Sequence, residues 1–412
     1  MKNFILSLLI VVFSIEINAQ NNQITLNPGY TNQSFYSMQN GEVLNTINND
    51  WDIAFHTDVF SSTIRINDGQ GVELYTYPIG DTSAWNSINT STPNILTSPM
   101  YNSDTSWNYG AFGVNQTTGF DYGWGVYNIM THYIVGDSLY VIKTVNGNWK
   151  KLWLDKKVNG AYEFKHADLD GSNLITTSVP ASNYSNKRFI YYSLDQDLII
   201  DREPAISDWE ITFTKYITPV QGTPYGVTGV LSNVGIKIAD ADNIPSPNTY
   251  TNYNAHSFHQ EINTIGYDWK TFDMSTFSYT IDNDRCFFLK DYNQNVWRII
   301  FTSFEGTSTG NIEFNVQSLS TTATNNIQNT DNSLNIYPNP VNNEDITIIY
   351  DANNQECTLN IYDFSGREAY SSKLVGNGFK THTIPSNYLD QGIYIVSLTI
   401  NNTIFTDRLI IH

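Results

Sequence analysis

Cysteine is almost missing from this chain of 412 residues. Only Cys286 and Cys357 occur. They fall in segments that read as different domains, so no disulfide framework is expected, and both thiols belong in buried strands. Basic residues are scarce as well. Lys and Arg number 21 against 40 Asp and Glu, a net charge of −19, which argues against nucleic acid or an anionic lipid surface as partner. Beyond the first nineteen residues no apolar run is long enough for a membrane-spanning helix, and no helical periodicity outlasts two turns. Catalytic signatures are also lacking: there is no Gly-x-Ser-x-Gly, His-Glu-x-x-His, Walker loop or dinucleotide fingerprint. The many carboxylates leave a glycosidase-like acid and base pair open. The expectation is nonetheless a protein that is not an enzyme.

What the chain does have is an export-type start. Lys2 precedes a run from Phe4 to Phe13 that is apolar except for Ser7, and Ala19 offers a small residue just before Gln20. Residues 1–19 read as a signal peptide. No cysteine lies near its end, so a lipid anchor is not expected.

The rest reads as strand after strand. Leu139–Ile142 and Cys286–Leu289 are four-residue apolar runs, each followed by an Asn-rich turn and a second apolar run, the pattern of a β-hairpin. Aromatic residues, 14% of the chain, sit mainly in such runs, where they supply area for sheet packing. The fold class is therefore all-β: two tandem related antiparallel units and a small C-terminal β-sandwich.

The tandem relation rests on repeated segments. Asn49-Asp50-Trp51-Asp52-Ile53-Ala54-Phe55 returns as Ser207-Asp208-Trp209-Glu210-Ile211-Thr212-Phe213, and Tyr36-Ser37-Met38 returns as Tyr192-Ser193-Leu194. Gly119-Phe120-Asp121-Tyr122 returns as Gly266-Tyr267-Asp268-Trp269, and that offset continues without a gap through Leu154 and Phe301. Unit one is read as 23–180 and unit two as 184–320, with 321–333 as linker.

Residues 334–412 carry Leu334-Asn-Ile-Tyr-Pro-Asn-Pro-Val341, Leu359-Asn-Ile-Tyr-Asp-Phe-Ser-Gly-Arg367, Leu389-Asp-Gln-Gly-Ile-Tyr-Ile-Val396 and Asp407-Arg408. In that order these motifs resemble the type A C-terminal sorting domain of the type IX secretion system of Bacteroidota. The resemblance implies a partnership with that machinery and a place outside the cell or on the outer-membrane surface. The strand-length runs and the turn signals Asn339-Pro340 and Ser365-Gly366 agree with a small sandwich.

The two units resemble the HmuY-like haemophore family. The opening pattern is Trp51-Asp52-Ile53-Ala54-Phe55-His56 with Ile64-Arg65-Ile66-Asn67-Asp68-Gly69, and the closing hairpin is Cys286–Leu289 with Val296–Phe304. In that family a haem iron sits between two axial histidine or methionine side chains, one of them just after a Trp-x-x-Phe segment. Here Trp269-Lys270-Thr271-Phe272 precedes Met274, which the resemblance makes a metal ligand. His256 and His259 are the candidates for the second position. In unit one the offset places Tyr127 opposite Met274, with His132 and Met130 nearby. Met274 also lies in an aromatic run, where methionine commonly fills a core.

Other groups have plainer readings. His56 reads as a strand-end surface group, and Asp168-Leu-Asp170-Gly-Ser172-Asn173 as an Asp-Gly turn rather than a calcium loop, because the bidentate Glu is lacking. Asp121 and Asp268 read as turn residues. Trp85, Trp107 and Trp124 could stack on sugars, although tryptophan in a β protein is mostly core. Together these readings give a secreted or surface-displayed binding protein. Haem or porphyrin capture comes first, surface adhesion or carbohydrate binding second, and a secreted hydrolase third.

Overall fold

The computed structural model describes residues 20–412 apart from 118, 321–333, 343, 352–354, 364–365, 377–378, 386, 401–402 and 412. The signal-peptide and linker readings lie outside the described residues. The chain divides between Ser320 and Thr321 into a body and a tail. Among the described residues strands dominate, helical structure is limited to short 3-10 turns, and no helix is long and apolar enough to cross a membrane.

In the tail, strands Leu334–Tyr337, Ile346–Asp351 and Phe379–Ile384 form one sheet, and four strands from Gln355 to Ile411 form the other. All pair antiparallel. Alternate residues of both sheets, including Ile346, Ile348, Leu359, Ile361, Val396 and Leu398, share one core. That is the sandwich expected from the sequence.

The body has two halves with the same strand order. In the first, strands Ile175–Val179, Ala161–Asp168, Trp149–Val158, Tyr140–Lys143 and Glu73–Thr76 lie side by side. In the second the order is Gln20–Thr25, Asn311–Ser318, Val296–Phe304, Cys286–Lys290 and Lys237–Ala241. Register agrees too. Tyr140 faces Leu152 and Phe287 faces Ile299, each pair 147 residues from its counterpart. The same β-bulge falls after Leu154 and after Phe301.

The expected boundary at 180–184 does not separate these halves. Residues 175–200 complete the first half, and residues 20–47 complete the second. The physical reason is the edge strand. The outer edge of Asn311–Ser318 would present a ladder of unpaired groups, and Gln20–Thr25 covers it. Ile24, Leu26, Tyr36 and Met38 accordingly belong to the core of the second half, and Ile190, Tyr192 and Leu194 to that of the first.

The gapless offset also fails in one hairpin. Gly125–Asn128 with Tyr133–Gly136 matches Lys270–Asp273 with Ser278–Ile281, a spacing two residues shorter than the sequence alignment gave. Trp124, not Tyr122, therefore occupies the place of Trp269, and each is 1% exposed. Asp137 N donates to Trp124 O as Asp282 N donates to Trp269 O. The two extra residues are taken up in the turn before Cys286, so the strands beyond it return to the longer spacing.

Candidate functional site

The haem-directed residues do not converge. Strand Cys286–Lys290 is buried on both faces: Phe287 and Leu289 enter the core with Trp269 and Phe304, while Cys286 and Phe288 enter another with Tyr250 and Tyr253 packed against it. The His256 ring lies on the Phe288 side, 6.0 Å from that ring, and its Nε2 is 2.9 Å from the Tyr250 hydroxyl. The hairpin carrying Met274 packs on the opposite side through Tyr279, 4.6 Å from Phe304. The sheet thus stands between Met274 and His256. His259 bridges to Ile238 beyond the sheet edge, three strand positions or about 14 Å from Val296–Phe304 at about 4.8 Å per strand. Its ring is solvent-facing, 3.8 Å from Glu261. Axial donors need to lie about 4–4.5 Å apart, given bonds of about 2.0–2.3 Å. These residues do not fit a haem iron held on both sides.

Met274 instead occupies a hairpin tip and is 72% exposed, so it is neither a ligand wall nor a core filler. Its structural counterpart is Ile129, not Tyr127. Asn128 Oδ1 accepts from Met130 N at 2.9 Å, as Asp273 Oδ1 accepts from Ser275 N at 2.8 Å. His132 and Phe277, closing the two loops, share positive φ of 60° and 53°. Tyr127 is engaged with His132, hydroxyl to Nδ1 2.7 Å. Both tips display large apolar side chains: Ile129 and Met130 on one, Met274 and Phe277 on the other.

Where the two halves meet lies a partly open cavity of about 70 Å³ lined by Trp51, Trp107, Trp209, Tyr191, Arg65 and Arg188 among others. Two equivalent edge-on ring pairs flank it: Trp51 with Tyr191 at 4.8 Å and Trp209 with Phe35 at 5.0 Å. Gly69 makes the close approach possible, because a Cβ there would sit 2.0 Å from the Lys215 carbonyl oxygen. Arg65 donates to the carbonyls of Ser103, Ser106 and Tyr109, and burial lowers its pKa to about 10, still protonated at neutral pH. Glu203 accepts from Arg188 N, Phe189 N and the Tyr191 hydroxyl, yet burial raises its pKa to about 7. Asp68 is raised to about 6 for the same reason, despite Asn102 N and the Arg65 charge.

Sequence reasoning missed Arg188, Glu203 and Trp209 as cavity residues, since they come from segments that only the strand exchange brings beside residues 51–68. His56 is also corrected. It is 6% exposed, its Nδ1 accepts from Asp58 N, and burial lowers its pKa to about 4. The Asp168 loop is closed on itself, with Asp168 paired to Lys150 at 2.8 Å and bonded to Asn173. Asp121 caps its turn through Thr117 and Gly123, while Asp268 pairs with Arg285 at 3.3 Å. Trp85 and Trp124 are buried, and Trp107 donates to Ser232 O across the halves. No group of three metal-ligating side chains occurs among the described residues.

Residues 335–412 match the family model described as a secretion system C-terminal sorting domain. No curated protein matches the chain. Among solved structures, a dimeric latent PorU from Porphyromonas gingivalis is similar at 10% identity over 92% of this chain, which spans 40% of that one, with a TM-score of 0.17. So low a score carries no argument about the body. The tail decides the assignment: this chain ends in a type IX sorting domain and is a secreted or cell-surface protein exported by that system.

Proposed function

We propose that the body is a non-enzymatic adhesive binding module, displayed outside the cell and engaging its target through the two hairpin tips. The carrying observation is that structurally equivalent loops at 129–132 and 274–277 each present large apolar side chains to solvent, with Met130 86% and Phe277 77% exposed. Exposing such groups twice at structurally equivalent places marks a contact surface, whereas Phe60, 93% exposed, is a single apolar side chain elsewhere on the body. We infer further that the halves are copies of one unit with their opening strands exchanged, so that the tips form a repeated device. Haem capture rests on the family resemblance alone, because its proposed donors lie on different sides of a sheet.

The test is retention of the mature protein on cells or insoluble polysaccharides. Met130→Ser with Phe277→Ser should lower retention at least tenfold with an unchanged melting temperature. Equal retention would overturn the reading. A Soret band with haemin that disappears in Met274→Ala would restore the haem reading.

A further inference from the structure

The cavity between the halves contains a break in an otherwise repeated pattern. In the first half, Asn67 Nδ2 donates to the carbonyls of Asn48 and Trp51. In the second, Asn233 Nδ2 donates to those of Ile206 and Trp209. Asn48 and Ile206 are therefore counterparts, as are Trp51 and Trp209. Trp51 Nε1 donates to the Asn48 side chain at 3.0 Å. Ile206 offers no such acceptor, and Trp209 Nε1, on a residue only 2% exposed, has no partner.

A second donor on the same cavity is also unmatched. Arg188 donates through Nη2 to Asn108 Oδ1, but its Nε is buried without a partner. Neither Arg188 nor Arg65 forms an ion pair with a carboxylate among the described residues. A buried donor left unsatisfied costs about 1–3 kcal/mol, and the two residues that carry these donors both line one void. The void holds a few waters or one small molecule, since one water needs roughly 10–15 Å³ on the same measure. Phe35, Trp51 and Leu231 give it apolar walls.

We propose that this cavity is a binding site for a short-chain carboxylate, the size of acetate or propionate, whose oxygens accept from Trp209 Nε1 and Arg188 Nε. Two nitrogen donors and the Arg65 and Arg188 guanidinium charges favour an anion, set against the Asp68 and Glu203 carboxylates that line the same cavity and whose pKa values burial raises to about 6 and about 7. The apolar walls suit a short hydrocarbon tail over a fully hydrated ion. The site is independent of the hairpin tips, none of whose residues lines it.

The experiment titrates the full mature protein with acetate, propionate, chloride and sulfate, following intrinsic tryptophan fluorescence and melting temperature. The expected result is a saturable response to acetate or propionate and none to the inorganic ions. Trp209→Phe, which keeps the ring and removes the donor, should weaken binding at least tenfold. Ile206→Asn provides a check should that variant fold poorly. It restores the acceptor found in the first half, at a half-exposed position, and should suppress binding without loss of stability. The proposal is overturned by no saturable response, by an equal response to chloride or sulfate, by unchanged binding in both variants, or by a crystal structure with only ordered waters on the two donors.

Discussion

Tyr192 lies opposite Ile53 in one sheet just as Tyr36 lies opposite Ile211 in the other. The members of each pair lie more than 130 residues apart in the chain. Asp52 N donates to Tyr192 O, and Glu210 N donates to Tyr36 O. The side chains add a second tie: Asp52 accepts from Leu194 N, and Glu210 from Met38 N. Residues 189–194 therefore complete the first half and residues 32–38 the second, and neither half closes without them.

The exchange predicts where damage spreads. Ile24, 3% exposed and opposite Ile312, should cost roughly 2–4 kcal/mol when replaced by Ala. Hydrogen exchange should then quicken in residues 286–318. Faster exchange confined to residues 20–180 would mean that the sequence repeat folds as its own unit.

Trp124, Trp269 and Met274 separate packing from display. Trp269 stacks on Phe301 at 4.0 Å, and Trp124 Nε1 donates to Ser62 O. Alanine at either tryptophan should cost about 3–5 kcal/mol, whereas Met274→Ala at the exposed tip should change stability by less than about 0.5 kcal/mol. Urea melts of the three variants measure the difference. A large loss at Met274 would show that the tip is packed.

His166 should make the body acid-sensitive. It is 1% exposed, neither ring nitrogen has a hydrogen-bond partner, and burial beside Lys150 lowers its pKa to about 4. Below about pH 6.5 the unfolded histidine takes up a proton that the folded one refuses, so its contribution to stability falls between about pH 6.5 and 4. The ceiling is about 3 kcal/mol at about 1.4 kcal/mol per pH unit. His166→Phe should flatten this part of the stability profile, leaving the similar share of His56. An unchanged slope would mean that His166 is protonated in the folded state.

Passage beyond the periplasm should depend on the tail. Without residues 334–412 the chain should stop in the periplasm of its host, while the full chain reaches the surface or medium. Fractionation with an antibody to the body distinguishes the two. A truncated chain outside the cell would remove the role given to the sorting domain.

The tail was the most legible part, because its motifs and its sandwich both follow from short-range signals: alternation along strands such as Ile346–Asp351 and turn residues between them. The hairpin formed by Tyr140–Lys143 and Trp149–Val158 was equally readable, with its partner at the 147-residue spacing. The shorter spacing around Trp124 was not. Identity counts reward an unbroken alignment, whereas backbone pairing allows two residues to be absorbed in a turn. The haem donors failed for a related reason, since neighbours in sequence such as Phe287 and Phe288 send side chains to opposite faces of a strand.

Sequence by itself determined that this protein is all-β, acidic and exported, because composition, strand periodicity and sorting motifs are local properties of the chain. Only the tertiary structure decided which strands complete which half, that Met274 is a fingertip, and that Trp209 and Arg188 share a cavity. Those outcomes depend on which sheet edge each opening strand covers. Pairing between residues some 290 positions apart, such as Ile24 and Ile312, leaves no trace in local pattern.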